Sequence, residues 1–232
     1  MADQENQAKQ GPAVSAATGR AHVLVLAVLE AIMAVQFVLL AKRGDWAQAA
    51  FVAGIMAVCL APAISRRLSV QIPSEVELTA VLFVFATLFL GEVKDWYERY
   101  WWWDAALHTS SGLLLGMLGF MIVYVLNEDK AVDIHMRPVF VALFAFFFAV
   151  GLGAIWEVFE FAMDEWFGTN MQPPTATDPS GLTDTMQDLI VDTIGAAVVS
   201  LWGWRYLKRP HASRIDSWAA RFIAQHPRLF GD

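Results

Sequence analysis

Six apolar blocks alternate with short polar breaks along this chain, at residues 21–41, 46–64, 76–90, 105–126, 139–161 and 186–207. Each approaches the ~20 residues that an α-helix needs to cross ~30 Å of hydrocarbon. The third, over 76–90, is the shortest. The breaks carry the helix-stopping and charged residues: Lys42 to Asp45 with Gly44, Pro62 with Arg66 and Arg67, Pro73, Asn127 to Pro138, and Pro173 to Gly181. The pattern predicts an all-α polytopic membrane bundle of six transmembrane helices over residues 21–207. Residues 1–20 are polar and alanine-rich and read as a mobile tail. They do not have the charged and apolar arrangement of a cleaved signal.

Charge sets the expected orientation. With six spans, twelve Lys and Arg residues fall on the side of both termini, and four (Lys42, Arg43, Lys94 and Arg99) fall on the other. The positive-inside rule puts both termini in the cytoplasm. In the tail at 208–232, Ile215, Trp218, Ala219, Phe222 and Ile223 follow helical spacing between Arg214 and Arg221. That pattern predicts an amphipathic helix lying on the inner leaflet. Tyr97, Tyr100, Trp101, Trp102 and Trp103 form an aromatic cluster suited to the opposite headgroup layer. The lipid bilayer is the expected partner, and the net charge of −7 gives no reason to expect nucleic-acid binding. Cys59 is the single cysteine, which excludes an intrachain disulfide and a thiolate-rich metal site. Oligomeric state is not legible.

The same topology gathers twelve carboxylates on the outer side: Glu92, Asp95, Glu98, Asp104, Glu157, Glu160, Asp164, Glu165, Asp178, Asp184, Asp188 and Asp192. Only Lys94 and Arg99 stand among them. Like charges beside low-dielectric lipid need protons, a metal ion or a cationic ligand to offset them. Helical spacing sharpens the set. Asp104 and His108 stand at i and i+4, Glu157, Glu160 and Asp164 at i, i+3 and i+7, and Asp184, Asp188 and Asp192 at i, i+4 and i+8, so each group occupies one helical stripe. Measured up from Arg205, Asp192 lies ~20 Å deep along its helix, inside the hydrocarbon, where an idle acid costs ~2.5–3.5 kcal/mol. Gly112, Gly116, Gly153 and Gly195 continue these stripes and allow the helices to approach closely.

Bland readings stand beside these. Asp184 suits a helix cap, with Gln187 completing a capping box. Asp164, Glu165 and Asp178 read as solvated loop charges, and Arg99 as an ion-pair partner. His22, His135, His211 and His226 receive no role. Ser110 and Ser111 lack the context of an intramembrane serine nucleophile, and no His-Glu-x-x-His zinc motif is present.

Carboxylates with one imidazole and no thiolate suit a divalent Mg, Mn, Fe or Zn ion, without choosing among them. The expected metal ligands are Asp104, His108, Glu157, Asp188 and Asp192, holding one or two ions. Glu160 is the spare carboxylate that could act as base, and Arg99 or Tyr97 could hold an anionic headgroup. These assignments describe a divalent-metal-dependent enzyme acting on a lipid or lipid-linked substrate at the outer leaflet. A proton- or metal-ion-coupled transporter is the alternative, because intramembrane acids also mark ion pathways. A non-enzymatic membrane scaffold is the third reading.

The run EVKDWYERYWWWDAALH from Glu92 to His108, followed by Ser111 and Gly112, together with WEVFEF from Trp156 and DTMQDLIVD from Asp184 to Asp192, resembles the YjdF-type family of bacterial inner-membrane proteins. The likeness covers residues 92–195. It implies a multi-pass protein of the bacterial inner (plasma) membrane and no particular reaction.

Overall fold

The computed structural model describes the backbone of residues 2–65, 74–128, 136–175 and 177–208, and the side chains of these except 2–20, 62–65, 74–76, 125, 127 and 128. The expected amphipathic helix after residue 208, and Arg66, Arg67 and Lys130, lie outside the described residues. Each of the six apolar blocks falls in a helix: α1 (Ala2–Arg43), α2 (Trp46–Ser65), α3 (Ser74–Val84), α5 (Trp103–Glu128), α6 (Pro138–Phe167) and α7 (Leu182–Leu207). A four-residue turn of helix, α4 (Trp96–Arg99), is added within the aromatic run. Among the described residues there is no strand.

Among the described residues, three segments are long and apolar enough to cross a membrane by length and composition: Ala21–Arg43, Trp103–Tyr124 and Pro138–Phe167. Helix α7 has comparable length at 26 residues, but its three aspartates break the apolar run. The third block continues from α3 into a wider π-helical stretch at Phe85–Val93, closed by the Lys94 amide donating to the Phe89 carbonyl five residues back.

Contacts divide the chain into two compact units, Met1–Trp101 and Trp102–Asp232. In the first, one face of α1 buries Leu26, Leu29, Met33 and Leu40 with Val52, Ile55 and Cys59 of α2 and Val81 of α3, and the π-helical stretch adds Phe85 and Phe89. The other face of α1 exposes Val23, Leu24, Val28, Ile32 and Val35. A helix apolar on both faces is stable where its outer face meets lipid.

In the second unit α5, α6 and α7 each pack against the other two. Helix α6 begins at Pro138, whose missing N–H belongs to the unpaired first turn. It ends at Gly168, where φ is +65° and the amide donates to the Asp164 carbonyl, a left-handed cap that favours glycine.

Two local expectations are corrected here. Asp184 does not cap α7: the cap position is Gly181, and Asp184 is the third helical residue. Asp178 does the work instead, accepting from the Ser180 hydroxyl at 2.6 Å and the Thr183 amide at 2.6 Å. Asp164 is a residue of α6 rather than a loop charge. Its carboxylate accepts from Thr169 Oγ1 and from the Met171 and Gln172 amides, which folds the loop back on the helix end.

Candidate functional site

The stripes read from helical spacing meet in the second unit around one imidazole. His108 of α5 is 7% exposed. Its Nδ1 lies 3.2 Å from Asp192 Oδ2 on α7 and 3.8 Å from Glu157 Oε1 on α6, and its Nε2 lies 3.7 Å from Asp104 Oδ1 one turn earlier. Two sets of donor atoms share this histidine. In each of Asp104–His108–Asp188 and His108–Glu157–Glu160, one atom per residue falls within 4.8 Å of the others. Glu157, Glu160, Asp188 and Asp192 are all buried, while Asp104 is half-buried.

Close helix approach makes this convergence possible. A Cβ on Gly112 would collide with the Asp192 carbonyl, and one on Gly195 would meet the Thr109 carbonyl at 2.5 Å. A Cβ on Gly153 would lie 2.7 Å from Asp192 Oδ2. Helices α5 and α6 therefore press their backbones against the level of Asp192 as only glycine permits.

The acids differ in how they are satisfied. Asp192 is fully engaged: Ser111 Oγ donates to its Oδ1, and its Oδ2 faces His108 Nδ1. Glu160 Oε1 accepts from Trp156 Nε1 at 2.8 Å. Gln172, from the α6–α7 loop, donates to Thr185 Oγ1 at 2.7 Å and to the Glu157 carbonyl at 3.3 Å. Against these, Glu157 Oε1, Asp188 Oδ2 and Asp184 Oδ2 are buried and accept no hydrogen bond among the described residues. Unmatched acceptors beside one another are costly, so this face of the cluster favours a positively charged guest.

At the electropositive end of α7, the hydroxyl and amide of Ser180 and Thr183 hold the Asp178 carboxyl well below the usual carboxylate range. Asp178 thus anchors the loop that carries Gln172 and is not part of the donor sets.

Six expected site residues, Asp104, His108, Glu157, Glu160, Asp188 and Asp192, come together. Arg99 and Tyr97 belong to the first unit, where Tyr97 packs its ring on Gly91. Ser111, Trp156 and Gln172 were not read as partners of the site. Ser111 follows His108 by three positions, a spacing that puts it on the same stripe. Trp156 precedes Glu160 by four and carried the same signal. Gln172 sits in an irregular loop, where no periodicity could reveal it.

A search of solved structures finds none that matches the chain. An uncharacterized protein of Thermotoga maritima is 29% identical over 125 residues, which cover 54% of this chain and 59% of the relative. The chain therefore spans a little over half the length of that relative. A family model described as "Predicted membrane protein (DUF2238)" matches residues 21–209. That match includes all three candidate spans and every residue of the cluster, and the chain belongs to this family, the YjdF-type membrane proteins that its motifs resemble.

Proposed function

We propose that this membrane protein binds a divalent metal ion through Asp104, His108 and Asp188, at the outer-leaflet end of a six-span bundle with both termini in the cytoplasm. The observation that carries the reading is the pair of donor sets sharing His108, flanked by buried carboxylate oxygens that accept no hydrogen bond among the described residues. Three protein ligands from two helices, all oxygen or imidazole nitrogen, suit a hard or borderline ion and leave positions open. Asp192 orients the ring in this reading: its Oδ2 accepts a hydrogen bond from Nδ1–H, which leaves the Nε2 lone pair on the side of Asp104. The neighbouring set places Glu157 and Glu160 beside the same histidine.

A bound divalent ion supplies Lewis acidity and makes water a better nucleophile near neutral pH. The chain's own groups set up the rest of a hydrolytic or group-transfer reaction. Glu160, held by Trp156, would accept a proton. A site at the membrane rim draws its substrate from lipids or lipid-linked molecules.

Elemental analysis tests the metal. Protein stripped with chelator and re-equilibrated with Mg, Mn, Fe or Zn should retain about one ion per chain, and His108→Ala and Asp188→Asn should each weaken retention at least ~10-fold. Wild-type protein that holds no ion more tightly than these variants refutes the proposal and leaves shared protons as the balancing charge. Turnover of lipid phosphates in vesicles, lost in Glu160→Gln with metal content unchanged, tests the catalytic part.

A further inference from the structure

The first unit contains ionisable groups that the carboxylate cluster does not use. Glu30 lies on α1, within the candidate span Ala21–Arg43. At helical rise it stands about 14 Å from one end of that span and about 20 Å from the other. It flanks the buried stripe of Leu26, Leu29 and Met33. Both of its carboxylate oxygens are shielded from solvent, and neither has a hydrogen-bond partner among the described residues.

The elements packed on α1 offer Glu30 no described cation. From α2 the one titratable side chain is Cys59, buried in the apolar core. From α3, Glu77 is taken by His22, with Nε2 to Oε1 at 3.1 Å and both residues 3% exposed. Lys94 donates to Gln36 at 2.7 Å. An ionised carboxylate at this depth, with no donor and no counter-charge, is strongly disfavoured against its neutral acid.

We propose that Glu30 is a proton-binding site within the membrane-embedded first unit, separate from the carboxylate cluster. The acid carries its proton as a neutral carboxyl and gives it up only when water or a cation reaches it. The buried His22–Glu77 pair, about 12 Å along the same helix, is the titratable group nearest on α1 toward one end of the span. A carboxyl that gains and loses a proton at such depth is what ion-coupled membrane proteins require. The inference stands whether or not the second unit binds metal.

A hydrophobic carbodiimide tests it. The protonated carboxyl adds across the reagent's C=N bond, and the O-acylisourea rearranges to a stable N-acylurea that keeps every atom of the reagent. Full-length protein in lipid vesicles, digested and mapped by mass spectrometry, should carry this adduct on Glu30. Labelling should fall several-fold as pH is raised, and the Glu30→Gln variant should have none at that position. Glu30→Gln mimics the neutral acid and should keep wild-type thermal stability. Wild-type protein unlabelled at Glu30 would overturn the proposal. So would a marked stability loss in Glu30→Gln, which would reveal an ionised, partnered carboxylate. Protection by sodium at constant pH would assign the site to a metal cation instead.

Discussion

His108 and Asp192 are 84 positions apart in the chain, yet Nδ1 of one lies 3.2 Å from Oδ2 of the other in a buried contact between α5 and α7. The contact joins two helix stripes at one level, and Ser111 holds the far oxygen of the same carboxylate. With both oxygens of Asp192 engaged, the imidazole is held from its Nδ1 side and its Nε2 is left toward Asp104.

Removing that brace should be felt as lost affinity rather than lost fold. Ser111→Ala deletes one hydroxyl from a half-buried position. Metal binding, measured by calorimetric titration, should weaken about 10-fold, the lower end of what an outer partner of a ligand contributes. Unchanged affinity would mean that Asp192 does not depend on Ser111 for its orientation.

The glycines separate structural from chemical roles. Gly112→Ala places a methyl against the backbone of α7 and forces the helices apart, at about 1–3 kcal/mol. Gly153→Ala meets the end of the Asp192 side chain, which can turn away. The expected outcome is a clearly lowered unfolding midpoint for Gly112→Ala. Gly153→Ala should lose less stability than Gly112→Ala and should show impaired metal binding. Equal midpoints for the two would contradict the close backbone approach at Gly112.

Asp178 makes the α6–α7 loop sensitive to acid. Its folded carboxyl titrates below the ordinary aspartate value of ~3.9 because Ser180 and Thr183 donate to the ionised form. The contribution is therefore fully present above that ordinary value and is lost as pH falls through the lower folded one. Amide protection at Ser180 and Thr183, corrected for the intrinsic exchange rate, should fall below about pH 4, and Asp178→Ala should show the lower protection already at neutral pH. A loop equally protected in the variant would place its order elsewhere.

Gln172 is the loop's contact with the site. Gln172→Ala removes the 2.7 Å bond to Thr185 and the contact with the Glu157 carbonyl. A loss of about 1 kcal/mol in stability is expected, together with faster metal dissociation in a stopped-flow chelator chase. A dissociation rate unchanged by the substitution would show that the loop does not cover the centre.

Membrane orientation is open to direct labelling. In a Cys59→Ser background, Ser180→Cys should react with an impermeant maleimide on intact spheroplasts, and Lys208→Cys only after lysis. The reverse pattern would invert the topology derived from the Lys and Arg distribution.

Hydropathy made the helical elements legible, because a span must keep its backbone bonds internal and its surface apolar. The 3.6-residue period likewise put Asp104 with His108, and Asp188 with Asp192, on single stripes before any coordinates. It also misplaced the cap of α7. A capping box is a local pattern that Asp184 and Gln187 match, whereas the chain entering the helix turns at Gly181 under the pull of Asp178. His22 offered no cue to a role, because its partner Glu77 lies 55 positions away.

What the sequence alone determined was the helical class, the membrane setting, and which acids share a helix face. These follow from composition and period, which are properties of one segment at a time. The tertiary structure decided that His108 is the centre, that Asp192 braces it while Asp188 keeps an unmatched oxygen, and that Glu30 stands without a described partner. Periodicity gives an angle around one helix axis. Which neighbouring helix fills that angle, and how near it comes, depends on packing among segments distant along the chain.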